Sequence, residues 1–519
     1  MCSFLSTSKW VLFELVVLSL GIMVAFQFKV LLFTARRIRL PFPPGPSKKW
    51  IIGNLSDIPT AEQWIVFTEW AKRYGNIVHA RVLQTHLVVL NDVETAIDLL
   101  DKRSTIYSSR APVPMLDMIE NLNFSSMLPH NDRWREHRRM FQGFLKPGAV
   151  GSFERYQYQQ ADDLLCRLRD TPDQFLSHLR LESSAIMMSA IYDYNAASMD
   201  DHYLKIVEKS VENIAIAAMP GAFLVNDLPF LRHVPEWFPG GGFKAFVRET
   251  KMWTDQMRND TLRIVQNKIE AGEASDCLAA QLLEGCQSEN QLNNIKSVCA
   301  TAYAAGAETS SSTLQGFFYA MVNFPDVQRR AQQEIDEVIG WDRLPTLEDR
   351  TSLPYIEAVY RESLRWHPVT PIGVPHYTTD EDVYNGYYIP KGTTIIPNVW
   401  AMTRDPRKYQ DPEIFDPSRF LEKDGSLNKD DVHYLFGFGR RICPGRHLAA
   451  VTIWLSIVRI LATFDIKKKK DSSGKEIQVD RGYSGNALAI HPHPFECDIA
   501  PRSEIIKGLI PDKITQPHS

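Results

Sequence analysis

From about residue 60 to residue 465, apolar positions recur at three- and four-residue intervals between prolines and glycines, the spacing of helices that bury one face. Two stretches depart from it in β-like runs, 77–90 (IVHARVLQTHLVVL) and 384–396. The pattern predicts a mainly α body with a minor β subdomain. The longest periodic segment runs from Leu292 to Asn323, and the helix after it opens on Pro325-Asp326, a favoured start. The segment Leu448–Phe464 is apolar enough to raise a membrane span, but Arg459 and its modest length predict a helix of the protein core. Residues 10–33, WVLFELVVLSLGIMVAFQFKVLLF, differ again, being interrupted only by Glu14, Gln27 and Lys29. A helix rises ~1.5 Å per residue and the hydrocarbon core is ~30 Å thick, so this run is long enough to cross a bilayer as an N-terminal transmembrane helix. Arg36, Arg37, Arg39, Lys48 and Lys49 follow it and only Lys9 precedes it, which places everything downstream in the cytoplasm. PFPPGP at 41–46 is a stiff extended joint, because proline fixes φ and pushes its predecessor out of the helical region. The expected organisation is a membrane anchor (1–40), a proline-rich hinge (41–50) and one domain (51–519).

Composition adds exclusions. A net charge of −4 over 519 residues gives no electrostatic case for nucleic acid. The seven cysteines (Cys2, Cys166, Cys277, Cys286, Cys299, Cys443, Cys497) are scattered and contain no C-x-x-C pair, which argues against a disulfide framework or an iron–sulfur cluster and for a reducing compartment.

Cys443 stands apart, in FGFGRRICPGRH (436–447). Pro444 suits a first helical turn, so Cys443 is expected at the N-terminus of the apolar helix that follows, where free N–H groups and the helix dipole favour a thiolate. Arg440, Arg441 and Arg446 add positive charge, Gly437 and Gly439 permit a tight turn, and Gly445 leaves room for something flat near the backbone. Zinc would need further ligands beside Cys443, His447 and His433, and no second cysteine lies near. A lone thiolate is the axial ligand that haem iron takes in oxygen-cleaving enzymes.

The run Phe436-x-x-Gly439-x-Arg441-x-Cys443-x-Gly445 resembles the haem-binding loop of the cytochromes P450, the haem-thiolate monooxygenases, and four further motifs stand in the family's order between about 40 and 490. Trp134 and Arg138, four apart on one helix face, resemble the donors to a haem propionate; His376, in VPHYTTD, and Arg441 resemble further propionate donors. AGAETS (305–310) resembles the oxygen-activation motif, in which Glu308 and Thr309 would organise water and deliver protons. Glu362-x-x-Arg365, with Arg419 of FDPSRF (415–420), resembles a buried Glu–Arg–Arg network that supports the cysteine loop. Two departures, Ser418 in place of a frequent acid and Glu308 in place of Asp, leave the chemistry intact.

The resemblance implies the cytochrome P450 fold, haem b held by the Cys443 thiolate, and insertion of one oxygen atom from O2 into an apolar small molecule, by hydroxylation or epoxidation. Electrons would come from an NADPH-dependent flavin reductase, NADPH-cytochrome P450 reductase, with cytochrome b5 as a second donor. The body would be a single-pass protein of the endoplasmic reticulum membrane, facing the cytoplasm. The phrasing VNDLPFLRHVPEWFPG and AGAETSSST resembles fungal members, many of which oxidise secondary metabolites. Segments 104–128 (with Met115, Leu116, Met118, Phe124 and Met127) and 211–243 correspond to the family's pocket roof. Trp237, Phe238 and Phe243 are expected at the membrane interface, and Arg440, Arg446 and the 133–139 stretch at the reductase. Two other functions stay open: a reductase-independent haem-thiolate isomerase or dehydratase, against which Thr309 speaks, and a non-catalytic haem-binding membrane protein, which would not need Glu308 and Thr309.

Overall fold

The computed structural model describes residues 40–119, 124–219, 221–273, 276–480, 482–486, 489–512 and 514; the apolar run 10–33 lies outside the described residues. Helix α1 (Gln63–Tyr74) precedes the strands β1 (Ile77–Val82) and β2 (Thr85–Leu90). Then come α2 (Asp132–Leu145), α3 (Glu154–Asp170), α4 (Phe175–Tyr192), α5 (His202–Ala218), α6 (Phe243–Glu270), α7 (Glu289–Asn323), α8 (Pro325–Val338) and α9 (Pro354–Trp366). Strands β3 (His376–Tyr377), β4 (Asp382–Tyr384), β5 (Tyr387–Ile389) and β6 (Thr394–Pro397) lead to α10 (Arg446–Thr463). The chain closes on β7 (Phe464–Lys468), β8 (Tyr483–Asn486), β9 (Ala489–Pro492) and β10 (Cys497–Pro501). The body is mainly α with small sheets, as the periodicity predicts.

Local chemistry explains the boundaries. Asn131 caps α2 by accepting the Trp134 N–H, Ser288 caps α7 by accepting the Gln291 N–H, and Pro325 and Pro354 sit in the first turns of α8 and α9. Glu334 of α8 reaches the free N–H groups of Tyr355 and Ile356 at 2.8 and 2.9 Å, so one carboxylate caps its neighbour's N-terminus.

α7 is the spine. It packs against α4, α10, α9 and α2, and Leu314, Phe317 and Phe318 from it enter the same core as Trp454, Leu455 and Leu461 of α10. α10 is long and apolar enough to cross a membrane, yet it is largely buried inside the protein, in line with its reading as a core helix. The main sheet has the order β1-β2-β6-β3: β1 and β3 pair antiparallel at its edges, and β2 and β6 run parallel with Leu87 opposite Thr394. The terminal strands β7 and β10, and β8 and β9, escaped the sequence reading; β7 is five residues running into a lysine-rich stretch, and its partner lies thirty residues on.

The proline-rich segment is extended as expected, and it is bound to the sheet rather than free. Pro44 O accepts the His79 N–H at 2.9 Å, Pro41 O accepts the Tyr388 N–H at 2.8 Å, and Phe42 stacks on His79 and His86.

Candidate functional site

The cysteine loop is built by two glycines with left-handed φ. Gly437 (φ +89) and Gly439 (φ +49) turn the chain, and a Cβ at Gly439 would lie 2.4 Å from Leu100 O. The turn returns the Cys443 N–H to Phe436 O at 2.7 Å. Cys443 lies two residues before Gly445, the N-cap of α10, and its sulfur receives the N–H groups of Gly445 and Arg446. Burial pushes the thiol up; those two N–H groups and the charges of Arg138 and Arg446 pull it down less strongly.

Cys443, Phe436, Arg441 and Gly445 line a deep cavity between α7 and α10. Ala305, Gly306 and Thr309 of α7 line it too, and a Cβ on Gly306 would meet Met187 Sδ at 2.5 Å. The apolar wall comes from Phe141, Phe144, Ile186, Met187, Ile191, Leu448 and Ile453. None of Met115, Leu116, Met118, Phe124 and Met127, and no described residue of 211–243, lines it. Met115 and Leu116 instead pack with Ala217, Val225 and Val247 into a small core of their own, while Arg110, Ser125 and Ser126 of the same 104–128 segment do line the cavity, so the expected roof holds for part of that segment and not for these apolar side chains.

Trp134, Arg138, His376 and Arg441 all reach this cavity, joined by Arg110, which the sequence reading missed. Arg441 lies over the Trp134 ring, 4.6 Å from its centroid, and donates to Ser108 O and Leu128 O at 2.7 and 2.6 Å. Arg110 donates to Ser126 O, Val374 O and Pro375 O. Arg138, among the described residues, has no hydrogen-bond or ion-pair partner, and burial lowers its pKa. Three arginines line the cavity without one carboxylate among its lining residues. That donor set fits a ligand bearing anionic groups, such as haem with its propionates, and does not fit a purely apolar one. His376 fits with a condition: Nδ1 bonds Tyr107 O at 2.7 Å, and burial with the charges of Arg110 and Arg441 lowers its pKa far, so Nε2 donates only once an incoming carboxylate favours the imidazolium.

Glu308 and Thr309 diverge. Thr309 faces the cavity with its hydroxyl donating back to Ala305 O at 2.7 Å, while the Glu308 carboxylate lies outside the cavity lining, 2.6 Å from His491 Nε2. Glu362 and Arg365 are fully buried and bidentate, at 2.6 and 2.7 Å. Arg419 Nε reaches the same carboxylate at 3.2 Å, and the Asp416 N–H at 2.8 Å. Ser418, where an acid is common, accepts from Arg330.

The cytochrome P450 family model matches residues 43–497. The chain is 40% identical over 481 residues to cytochrome P450 monooxygenase COX2 of Coprinopsis cinerea, covering 91% of each chain. It is 38% identical to cytochrome P450 monooxygenase 98 of Postia placenta, covering 91% of this chain and 93% of that one. The match to cytochrome P450 monooxygenase claR of Ampulloclitocybe clavipes is also 38%, over 91% and 88%. These alignments run through the sheet, the spine helix and the cysteine loop alike, and the chain belongs to the cytochrome P450 family, the monooxygenases that hold haem on a cysteine thiolate.

Proposed function

We propose that the protein inserts one oxygen atom from O2 into an apolar small molecule, by hydroxylation or epoxidation, in the cavity between α7 and α10. One observation carries this reading: a half-buried cysteine with N–H groups on its sulfur stands in the same cavity as Thr309, beside three arginines with no carboxylate among the described residues that line it. Cys443 would bind the iron, and Arg110, Arg138, Arg441 and His376, with the Trp134 indole, would hold the carboxylates. Haem bound there would supply dioxygen activation, which the Cys443 thiolate would favour. The chain's own groups do the rest. Phe141, Phe144, Ile186, Met187 and Ile191 exclude water and orient an apolar substrate. Thr309 presents a hydroxyl inside the cavity, and Glu308, one residue earlier, carries a carboxylate outside it, so together they bridge the helix for proton entry.

Electrons would reach the site from NADPH through a membrane flavin reductase, docked where Arg440 and Arg139 are exposed, with Arg446 partly so. Residues 10–33 would anchor the chain in the endoplasmic reticulum membrane, and exposed Leu224, Phe230, Trp237 and Phe238 would meet its surface; Phe243 packs partly against the core. The relatives are named as monooxygenases of fungi, and a fungal secondary metabolite is the proposed substrate class. The test is turnover of a library of apolar natural products by the full-length protein with reductase and NADPH. Product carrying label from 18O2 supports the reading. Conversion of a hydroperoxide without reductase, and none with O2 and NADPH, would replace it with the isomerase.

A further inference from the structure

The partner of Glu308 is a residue that no family motif supplied. His491 stands on β9, which lies along α7. Its Nε2 is 2.6 Å from Glu308 Oε1, and its Nδ1 is 3.3 Å from Gln315 Oε1. These acceptors are seven residues apart on α7, about two turns along one face. Gln315 Nε2 donates to Ser311 Oγ at 3.0 Å, which fixes the amide with its oxygen toward the imidazole. A ring with N–H at both nitrogens therefore satisfies both acceptors.

The strand is held in place. Ser312 donates to Ile490 O, the Ile490 N–H reaches Val369 O at 2.9 Å, and Ser312 also meets the buried His367 at 3.0 Å. His491 is thus delivered to Glu308 by a backbone pinned on both sides. The other charges facing this carboxylate are Arg180 of α4 and Glu208 of α5, which pair with each other at 2.6 Å. The hydrogen bond from His491 holds Glu308 below the usual carboxylate range in spite of partial burial.

We infer that His491 is a positioning residue that holds Glu308 at the outer end of the proton route whose inner end is Thr309. The inference rests on the reading of Glu308 and Thr309 as that route. One proton passes from His491 Nε2 to Glu308 Oε1, leaving Nδ1–H on Gln315. The carboxyl then turns and gives a proton to water beside Thr309, and solvent returns one to the imidazole. No electron moves in these steps.

The experiment compares wild type, His491→Ala, His491→Gln, Glu308→Gln and the double variant His491→Ala/Glu308→Gln as full-length holoproteins with reductase. It reads product per NADPH across about pH 6–8, where histidine chemistry changes protonation, together with the substrate-binding midpoint and the CO-bound spectrum. His491→Ala should lower coupling by up to about a hundredfold, the loss that a misplaced reacting group can cause, and flatten its pH dependence while binding and spectrum stay as in wild type. His491→Gln, whose amide still donates to Glu308 but cannot relay a proton, should recover only part of the coupling, and serves if the alanine variant does not fold. The double variant should be no worse than Glu308→Gln. A wild-type pH profile and coupling in His491→Ala beside a defective Glu308→Gln would overturn the role of His491 and leave the acid's role standing. Wild-type coupling in Glu308→Gln would remove the proton route, and His491's part in it.

Discussion

Glu182 is a carboxyl group with no exposed surface, in the middle of α4. Its Oε1 accepts from Ser456 Oγ of α10 at 2.7 Å, and Arg167 lies near but belongs to Asp163, at 3.8 Å. Burial pushes the group from 4.5 up to about 8, against the smaller pull of Ser456 and Arg167. Between those two values the folded protein keeps a proton that the unfolded chain releases. The stability that this proton represents is complete below about pH 4.5 and is lost as pH rises through about 8. The slope is about 1.4 kcal/mol per pH unit, and the whole interval is worth on the order of 4–5 kcal/mol, a large share of the ~5–15 kcal/mol that holds a domain folded. Glu182→Gln keeps the shape and an acceptor for Ser456 but cannot ionise. Isothermal urea unfolding of both holoproteins at several pH values should therefore show wild type losing about 1.4 kcal/mol per unit relative to Glu182→Gln as pH rises from about 5 to 8. A difference that does not change with pH would refute the reasoning: the carboxyl would then be ionised in the fold and paired with Arg167.

Two further outcomes follow from the same geometry. Gly439→Ala, with φ +49 and a Cβ 2.4 Å from Leu100 O, should strain the cysteine loop by at least ~1–3 kcal/mol and lower haem content per protein, whereas Gly143→Ala on the exposed side of α2, whose Cβ meets nothing within 4 Å, should lose far less; equal haem content in both variants would refute it. Glu362→Ala leaves Arg365 buried without its partner and should cost roughly 3–5 kcal/mol in urea unfolding, while Glu362→Leu/Arg365→Met should cost clearly less than the sum of the two single changes; simple additivity would show that the pair does not act as a unit.

What could be read from the chain was local. The glycines around Cys443, the proline that opens α8, and the period of α7 each declare themselves within a few residues, and the structure has them where they were expected. Arg110 did not declare itself. It sits in a loop without period, and its three carbonyl partners come from Ser126, Val374 and Pro375, the last two more than 260 residues away. His491 is hidden in the same way, in a short hairpin whose register against α7 is a tertiary fact. The expected roof held only in part, for the converse reason: Arg110, Ser125 and Ser126 of 104–128 line the cavity, but Met and Leu look the same in sequence whether they face a cavity or a small core, and Met115 and Leu116 form the core. Glu308 and Thr309 were found as a pair, but adjacency along a helix separates their side chains by about 100° of rotation, which is why one faces the cavity and the other faces β9.

The parallel pairing of β2 with β6 bears on how the chain is made. Leu87 meets Thr394, so roughly 300 residues must be synthesised after β2 before its second edge is covered. At ~5–20 residues per second that takes about 15–60 s, during which only the β1 hairpin partner is available. The residues concerned, Val88, Val89 and Leu90, are wholly buried in the finished protein and form an apolar, β-branched edge of the kind that pairs with other chains. Loop closure over such a length also comes late in folding. The nascent protein therefore passes through a long interval in which its N-terminal sheet is incomplete and an apolar strand edge is open to pairing with other chains.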